Sequence, residues 1–295
     1  MHPDLGWLNN RILSCEYNGV PAQAANISIL MPARFRFDDL TGRTLVITGV
    51  TSGIGRALLP GLLAQGLRLV LVSRGQEELD RVRNEVDPEG ERTTSWECDL
   101  AKPDAVAKLA KNLQDIPLDG VLHNAAIDPR GEFEETDDLF WMRVFQVNLF
   151  AAASLTRALL PSLRQSPCGR IVFMSSITNA LGTALLSAYA SSKGAVEALT
   201  RSLAHELAGT AVTVNALVPG AIRVEKETFD ETSDRRLISW QSVPRRLEPC
   251  DLLGPLCLLL SEAGGGISGA CITVDGGIVH PLASRSCQKG VPGTK

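Results

Sequence analysis

TLVITGVTSGIGRALLPGLLAQGLRLVLVSRG, residues 44–75, runs from a strand through a glycine-rich turn and a helix into a second strand. TLVIT (44–48) is a short continuous apolar run of strand length. Ile54–Gln65 carries Leu58, Leu59, Leu62 and Leu63 at helical spacing, and LRLVLVS (67–73) is a second apolar run. Strands that are apolar throughout belong in a parallel sheet covered on both faces. Glycines at 49, 53 and 55 let the turn tighten, let backbone approach a phosphate and let helix and strand pack closely. The unpaired N–H groups that open the helix then face an anion. The spacing is G-x-x-x-G-x-G, not the G-x-G-x-x-G fingerprint, and any tight strand–helix turn shares its composition. Its position between first strand and first helix favours a nucleotide.

The alternation continues along the chain. Helices are expected at 76–86, 103–114, 138–163, 187–208 and 249–261. Strands are expected near 93–96, at 119–124, 169–176, 211–218 and 270–275. The expected fold is α/β, a single doubly wound Rossmann domain with a parallel sheet of about seven strands and helices on both faces. The domain spans 41–280. Residues 1–40 show no period and read as a poorly ordered N-terminal extension, and 281–295 as a C-terminal tail. Residues 223–243 are charged and aperiodic, which suits a substrate segment over a crevice and an ordinary surface loop equally.

Composition narrows the function classes. The 295 residues are 44% hydrophobic and 21% charged, ordinary globular usage. Net charge is −4, which argues against a nucleic-acid partner. No run of about 18 uninterrupted apolar residues suggests a membrane span. Seven scattered cysteines without a C-x-x-C pair read as thiols in a reducing compartment, and four dispersed histidines have no metal-ligand spacing. No metal is expected. The first 30 residues resemble neither a signal nor a transit peptide, so the cytoplasm is the expected location.

A second constellation is Tyr189 and Lys193 in YASSK, four residues apart on one helical face. An unperturbed tyrosine near pKa 10 is a poor proton carrier at neutral pH, and a nearby ammonium favours its phenolate. Such pairs also occur as plain surface neighbours. Ser176, at the end of strand 169–176, lies where open α/β sheets bind ligands, and its hydroxyl suits a substrate carbonyl. Asn148 is an amide in an apolar helix, which needs a partner. HNAA (123–126) ends the fourth strand at the same sheet edge.

With these residues in order, the chain resembles the short-chain dehydrogenase/reductase family over about residues 41–280. The resemblance rests on the glycine turn 48–55, CDL (98–100), HNAA (123–126), Asn148, Ser176, Tyr189-x-x-x-Lys193, PG (219–220) and VDGG (274–277). It is nearest the branch of about 250 residues that holds 3-oxoacyl-carrier-protein reductases, tropinone reductases and sugar-acid dehydrogenases. The resemblance implies a hydride-transferring oxidoreductase for a small carbonyl or alcohol substrate, with Tyr189 as general acid/base. Lys193 would lower the tyrosine's pKa and bind the nicotinamide ribose. Ser176 would orient the carbonyl, and Asn148 would hold a water linking Lys193 to solvent. Gly49, Ser52, Gly53, Ile54 and Gly55 would follow the pyrophosphate and adenosine. Asp99 and Leu100 would meet the adenine, Asn124 would back the cofactor, and Pro219, Gly220 and Ile222 would complete its site.

Two positions depart from the family pattern. HNAA replaces the usual NNAG, and Val224 stands where a threonine hydroxyl usually helps hold the cofactor. A catalytically silent nucleotide-binding scaffold is the alternative, and loss of tyrosine, lysine or serine would favour it; all three are present. The branch usually pairs through the two long helices into homodimers or homotetramers, although Leu199, Leu203 and Leu207 read as core. Met31 lies about where such chains begin, so residues 1–30 are expected to be dispensable for folding. The cofactor expected is NADP rather than NAD. Where NAD enzymes commonly place a carboxylate for the adenosine ribose, this chain has neutral Ser73, followed by Arg74, whose fork suits a phosphate.

Overall fold

The computed structural model describes residues 35–224 and 231–279. Seven parallel strands form one sheet in the order β3-β2-β1-β4-β5-β6-β7. They are β1 Thr44–Thr48, β2 Arg68–Ser73, β3 Thr93–Glu97, β4 Gly120–His123, β5 Arg170–Met174, β6 Thr213–Pro219 and β7 Cys271–Val274. From β1 the chain winds outward through β2 to β3, then returns to place β4 on the other flank of β1. That reversal opens a crevice at the carboxyl ends of β1 and β4.

The two faces of the sheet are covered by different helices. Alternation along β1 sends Leu45 and Ile47 into a core with α1 (Gly53–Ala64), α2 (Gln76–Val86) and α9 (Pro249–Leu260). Val46 joins the opposite core with α3 (Pro103–Leu113), α5 (Ala151–Gln165) and α7 (Ser187–Glu206). Leu207 is buried there and Leu199 and Leu203 pack against it, in keeping with their reading as core. The stretch Asp138–Gln165 is long and apolar enough to cross a membrane by length and composition. Its Leu155, Leu159 and Leu163 are fully buried against the sheet.

The structure corrects four expectations. The single helix 138–163 is α4 (Asp138–Phe145), a π-helical turn Gln146–Phe150, and α5. The turn adds slack at Asn148, whose amide pairs outside the helix. Within 223–243 lies a helix, α8 (Glu231–Trp240), which buries none of its residues. Charge rather than an apolar stripe supports it: Glu231 pairs with Arg235, Asp234 pairs with Arg223 and Arg246, and Arg236 sits over Trp240. A short helix α6 (Thr178–Leu181) follows β5, unsignalled by any period. The boundary drawn at residue 40 cuts through ordered chain. Leu40 is fully buried, and Gln65 clamps the preceding backbone, accepting from Phe37 N at 2.9 Å and donating to Phe35 O at 3.1 Å. The expectations for residues 1–30, for Met31 and for the tail 281–295 lie outside the described residues.

Candidate active site

The glycine turn is built by close contact. Gly49 has φ +73°, and a Cβ there would lie 2.7 Å from Ala125 Cα. At Gly55 a Cβ would lie 2.2 Å from the Gly49 carbonyl oxygen. Ser52 precedes α1 in an extended conformation without a side-chain cap, so its helix opens with N–H groups free for an anion. Asn124 locks this turn to the end of β4 by donating from Nδ2 to the carbonyls of Thr48 and Gly49, both at 3.0 Å.

A cavity of about 710 Å³ runs from this turn along the strand ends. Gly49, Ser52, Gly53, Ile54, Ser73, Arg74, Asp99, Leu100, Asn124, Ser176, Tyr189, Lys193, Pro219, Gly220 and Ile222 all line it, as does Val224. Of the residues singled out from sequence, Gly55 and Asn148 do not. Gly55 lies behind the turn that it allows to pack. Asn148 is buried: its Oδ1 accepts from Ile127 N at 2.8 Å, and its Nδ2 donates to Ile127 O at 2.9 Å and to Ser192 Oγ at 3.0 Å. Ser192 in turn donates to the Tyr189 carbonyl at 2.7 Å. Asn148 therefore ties the loop after β4 to the helix that carries Tyr189.

At one end of the cavity the tyrosine, serine and lysine converge. Ser176 Oγ accepts from Thr178 N at 3.3 Å and from Thr178 Oγ1 at 3.1 Å, and it lies close enough to Tyr189 to favour the phenolate. Lys193 is buried and donates from Nζ to Met174 O at 2.7 Å, and its Nζ lies 5.6 Å from the centre of the Tyr189 ring. The expected lowering of the tyrosine pKa is not what this arrangement gives. Burial raises it, outweighing the opposing influence of Ser176, and the Asp128 carboxylate adds to the rise. Burial also lowers Lys193 to about 8 against the opposing pull of Asp128. The lysine is itself desolvated, so its charge is weaker support for a phenolate than the spacing suggests.

The other end is set by β2. Ser73 exchanges a 2.8 Å hydrogen bond with Thr51, and Arg74 is exposed beside it. Glu78 lines this end too, but Arg81 holds it at 2.8 Å. The site is closed below by the VDGG turn: Asp275 is buried, accepts from Gly277 N at 2.7 Å and Val279 N at 2.6 Å, and packs on Gly220. Cys98 lines the cavity, but burial, with help from Asp99, pushes its thiol up to about 11, which leaves it a poor nucleophile. Among the described residues no group of three metal-ligating side chains occurs. Sequence reasoning missed Thr51, a lining residue inside the glycine turn, and Glu78, Asp128 and Arg143, which line the cavity outside any motif. It also missed Glu197, one turn beyond Lys193, whose Oε1 accepts from Ser175 Oγ at 2.9 Å and Asn179 Nδ2 at 2.6 Å.

The family model for short chain dehydrogenases matches residues 43–234, from β1 into α8. The chain belongs to the short-chain dehydrogenase family. Its 2-dehydro-3-deoxy-D-gluconate 5-dehydrogenase relative from Pseudoalteromonas atlantica is 32% identical over 245 residues, covering 81% of this chain and 96% of the relative. A ketoacyl reductase from Nostoc is 31% identical, covering 70% and 72%. Among solved short-chain dehydrogenase structures, one from Beutenbergia cavernae is assigned as an NAD(P)-dependent gluconate 5-dehydrogenase and holds NADP at low occupancy. It superposes with a TM-score of 0.77 at 34% identity, over 82% of this chain and 99% of that one. A blue fluorescent protein from a metagenomic library, in complex with NADPH, gives 0.74 at 27% identity, over 81% and 99%.

The residues present fit a dinucleotide. The crowded glycine turn, the uncapped start of α1 and the polar Ser73–Arg74 end match a pyrophosphate and an adenosine. The Tyr189 end is left for a reacting group.

Proposed function

We propose that this short-chain dehydrogenase is an NADP-preferring oxidoreductase that interconverts a carbonyl and an alcohol, with Tyr189 as general acid/base. The single observation that carries the reading is that Tyr189, Ser176 and Lys193 meet at one end of a cavity whose other end is a glycine cradle. The nicotinamide, when bound, supplies or accepts the hydride. Tyr189 Oη gives its proton to the substrate oxygen on reduction and takes one on oxidation. Burial keeps the phenol protonated, which suits the acid role, and the neighbouring ammonium favours phenolate when the proton leaves. Ser176 Oγ, lining the cavity beside Tyr189, orients the same substrate oxygen. Lys193, fixed by Met174 O, would reach the ribose side, and Asn148 anchors the loop and helix around it; a water held at Asn148 would link Lys193 to solvent for proton relay. Gly49, Ser52, Gly53 and Ile54 cradle the pyrophosphate, with Gly55 behind them. Asp99 and Leu100 would flank the adenine, Asn124 would back the cofactor from behind the glycine turn, and Pro219, Gly220 and Ile222 would complete its site.

Preference for NADP is supported by neutral Ser73 and exposed Arg74, with Glu78 occupied by Arg81. The two solved relatives described above hold NADP or NADPH. A homodimer or homotetramer is supported by the exposed apolar side chains around α4. Cys98, Cys168, Cys257 and Cys271 are free thiols, in keeping with the cytoplasm. The relatives' names span a sugar-acid dehydrogenase and a ketoacyl reductase, so they leave the substrate's charge open.

The test is initial rates with NADPH and NADH over a panel of ketones and alcohols, read by cofactor absorbance, for the native chain and Tyr189→Phe. The variant is expected to lose turnover by roughly 10²–10⁴-fold while still binding cofactor. Retention of more than about a tenth of kcat overturns the assignment.

A further inference from the structure

Asp128 lies on the loop after β4, four residues beyond Asn124, and lines the cavity together with Ile127, Ser176 and Tyr189. Its side chain is exposed, and among the described residues it has no hydrogen bond or ion pair. It is close enough to raise the pKa of both Tyr189 and Lys193, so its charge is felt at the reacting end. The cavity's cations are placed differently. Arg74 stands beside Ser73 at the opposite end. Arg143 lies one turn before Gln146, whose amide donates to Leu100 O, so it belongs to the Asp99–Leu100 side. Neither arginine is among the charges acting on Tyr189 or Lys193. The Lys193 ammonium is taken by Met174 O. Ala126, Ile127, Met174 and Ala221 supply apolar wall, so among the described lining residues the remaining charge beside Tyr189 is the Asp128 carboxylate.

We propose that Asp128 is a specificity-determining residue that selects substrates carrying a hydrogen-bond donor, hydroxyl or ammonium, near the reacting carbon and disfavours those with a carboxylate there. The inference rests on the acid/base reading of Tyr189. A donor on the substrate pairs with the carboxylate, whereas a substrate carboxylate meets a like charge beside a low-dielectric wall.

The test is kcat/KM for three ketones of equal length, ending in a hydroxyl, an ammonium or a carboxylate, with the native chain, Asp128→Asn and Asp128→Lys. The native chain is expected to favour the hydroxyl and ammonium compounds by about tenfold or more, the asparagine variant to lose most of that preference, and the lysine variant to reverse it. Calorimetric binding of the same compounds to the cofactor-loaded Tyr189→Phe protein ranks them without turnover. A failed acid/base assignment therefore leaves the ranking readable. A native preference for the keto acid overturns the inference, and so do equal affinities or a ranking that neither Asp128 variant moves.

Discussion

His123 stands where the family pattern has asparagine, and its consequence is a matter of protons. Its ring is buried, stacks on Phe173 at 5.0 Å and shares a 2.7 Å hydrogen bond with Thr156. Burial lowers its pKa from 6.5 to about 3. Between those values the unfolded chain binds a proton that the folded one refuses. Stability therefore falls as pH drops from 6.5 towards 3, by roughly 1.4 kcal/mol per pH unit. His123→Asn should flatten that acid limb in urea-midpoint measurements. An unchanged slope would assign the acid sensitivity to other groups. Cofactor choice is decided at the same scale. Ser73→Asp with Arg74→Ile places a carboxylate against a 2′-phosphate and removes the cation beside it. The ratio of kcat/KM for NADPH over NADH should fall by about 10²-fold or more. A native ratio that already favours NADH would sink the reading of this strand end.

Elements turn these residues into a site through a few tight junctions. The β1–α1 turn is one, and its glycines are unequal. A Cβ at Gly53 meets nothing within 4 Å, but the residue has φ +59°, so Gly53→Ala costs backbone strain of about 1–2 kcal/mol. Gly55→Ala instead drives its Cβ into the Gly49 carbonyl and the Asn124 amide, at 2.2 and 2.4 Å. The turn must shift, with a stability loss of roughly 1–3 kcal/mol and weaker cofactor binding. Thermal melts and cofactor titration of both variants check this. Equal cofactor affinity in the two would remove Gly55 from the site's support. The π-helical turn at Gln146–Phe150 is a second junction. It frees the Asn148 side chain to bond Ile127 and Ser192, and so holds the β4 loop against α7. A helical period of 3.6 counts apolar residues and gives no warning of one extra residue in a turn.

At the scale of the molecule, the apolar surface that remains is concentrated around α4. Phe133, Leu139, Met142 and Phe150 are 70%, 72%, 63% and 49% exposed. Under the proposed homo-oligomer this face would meet a second copy of the chain, and light scattering at micromolar concentration should then return a multiple of 31.6 kDa. A stable species of 31.6 kDa would overturn the oligomer. The sequence by itself determined the alternating strands and helices, the parallel sheet, the glycine turn and the Tyr189–Lys193 pair, because these depend on local period, on glycine conformation and on fixed spacing along one helix. It could also place Ser176, since a strand's end is visible once the strand is. Only the tertiary structure decided what surrounds them. The helix α8 rests on ion pairs, two of them to Arg223 and Arg246 outside it, and Phe35 and Phe37 are held by Gln65, far along the chain. The direction of the Tyr189 shift and the isolation of Asp128 from the cavity's arginines follow from burial and distance. Desolvation and Coulomb interaction are properties of where groups lie in space, and no spacing along a chain encodes them.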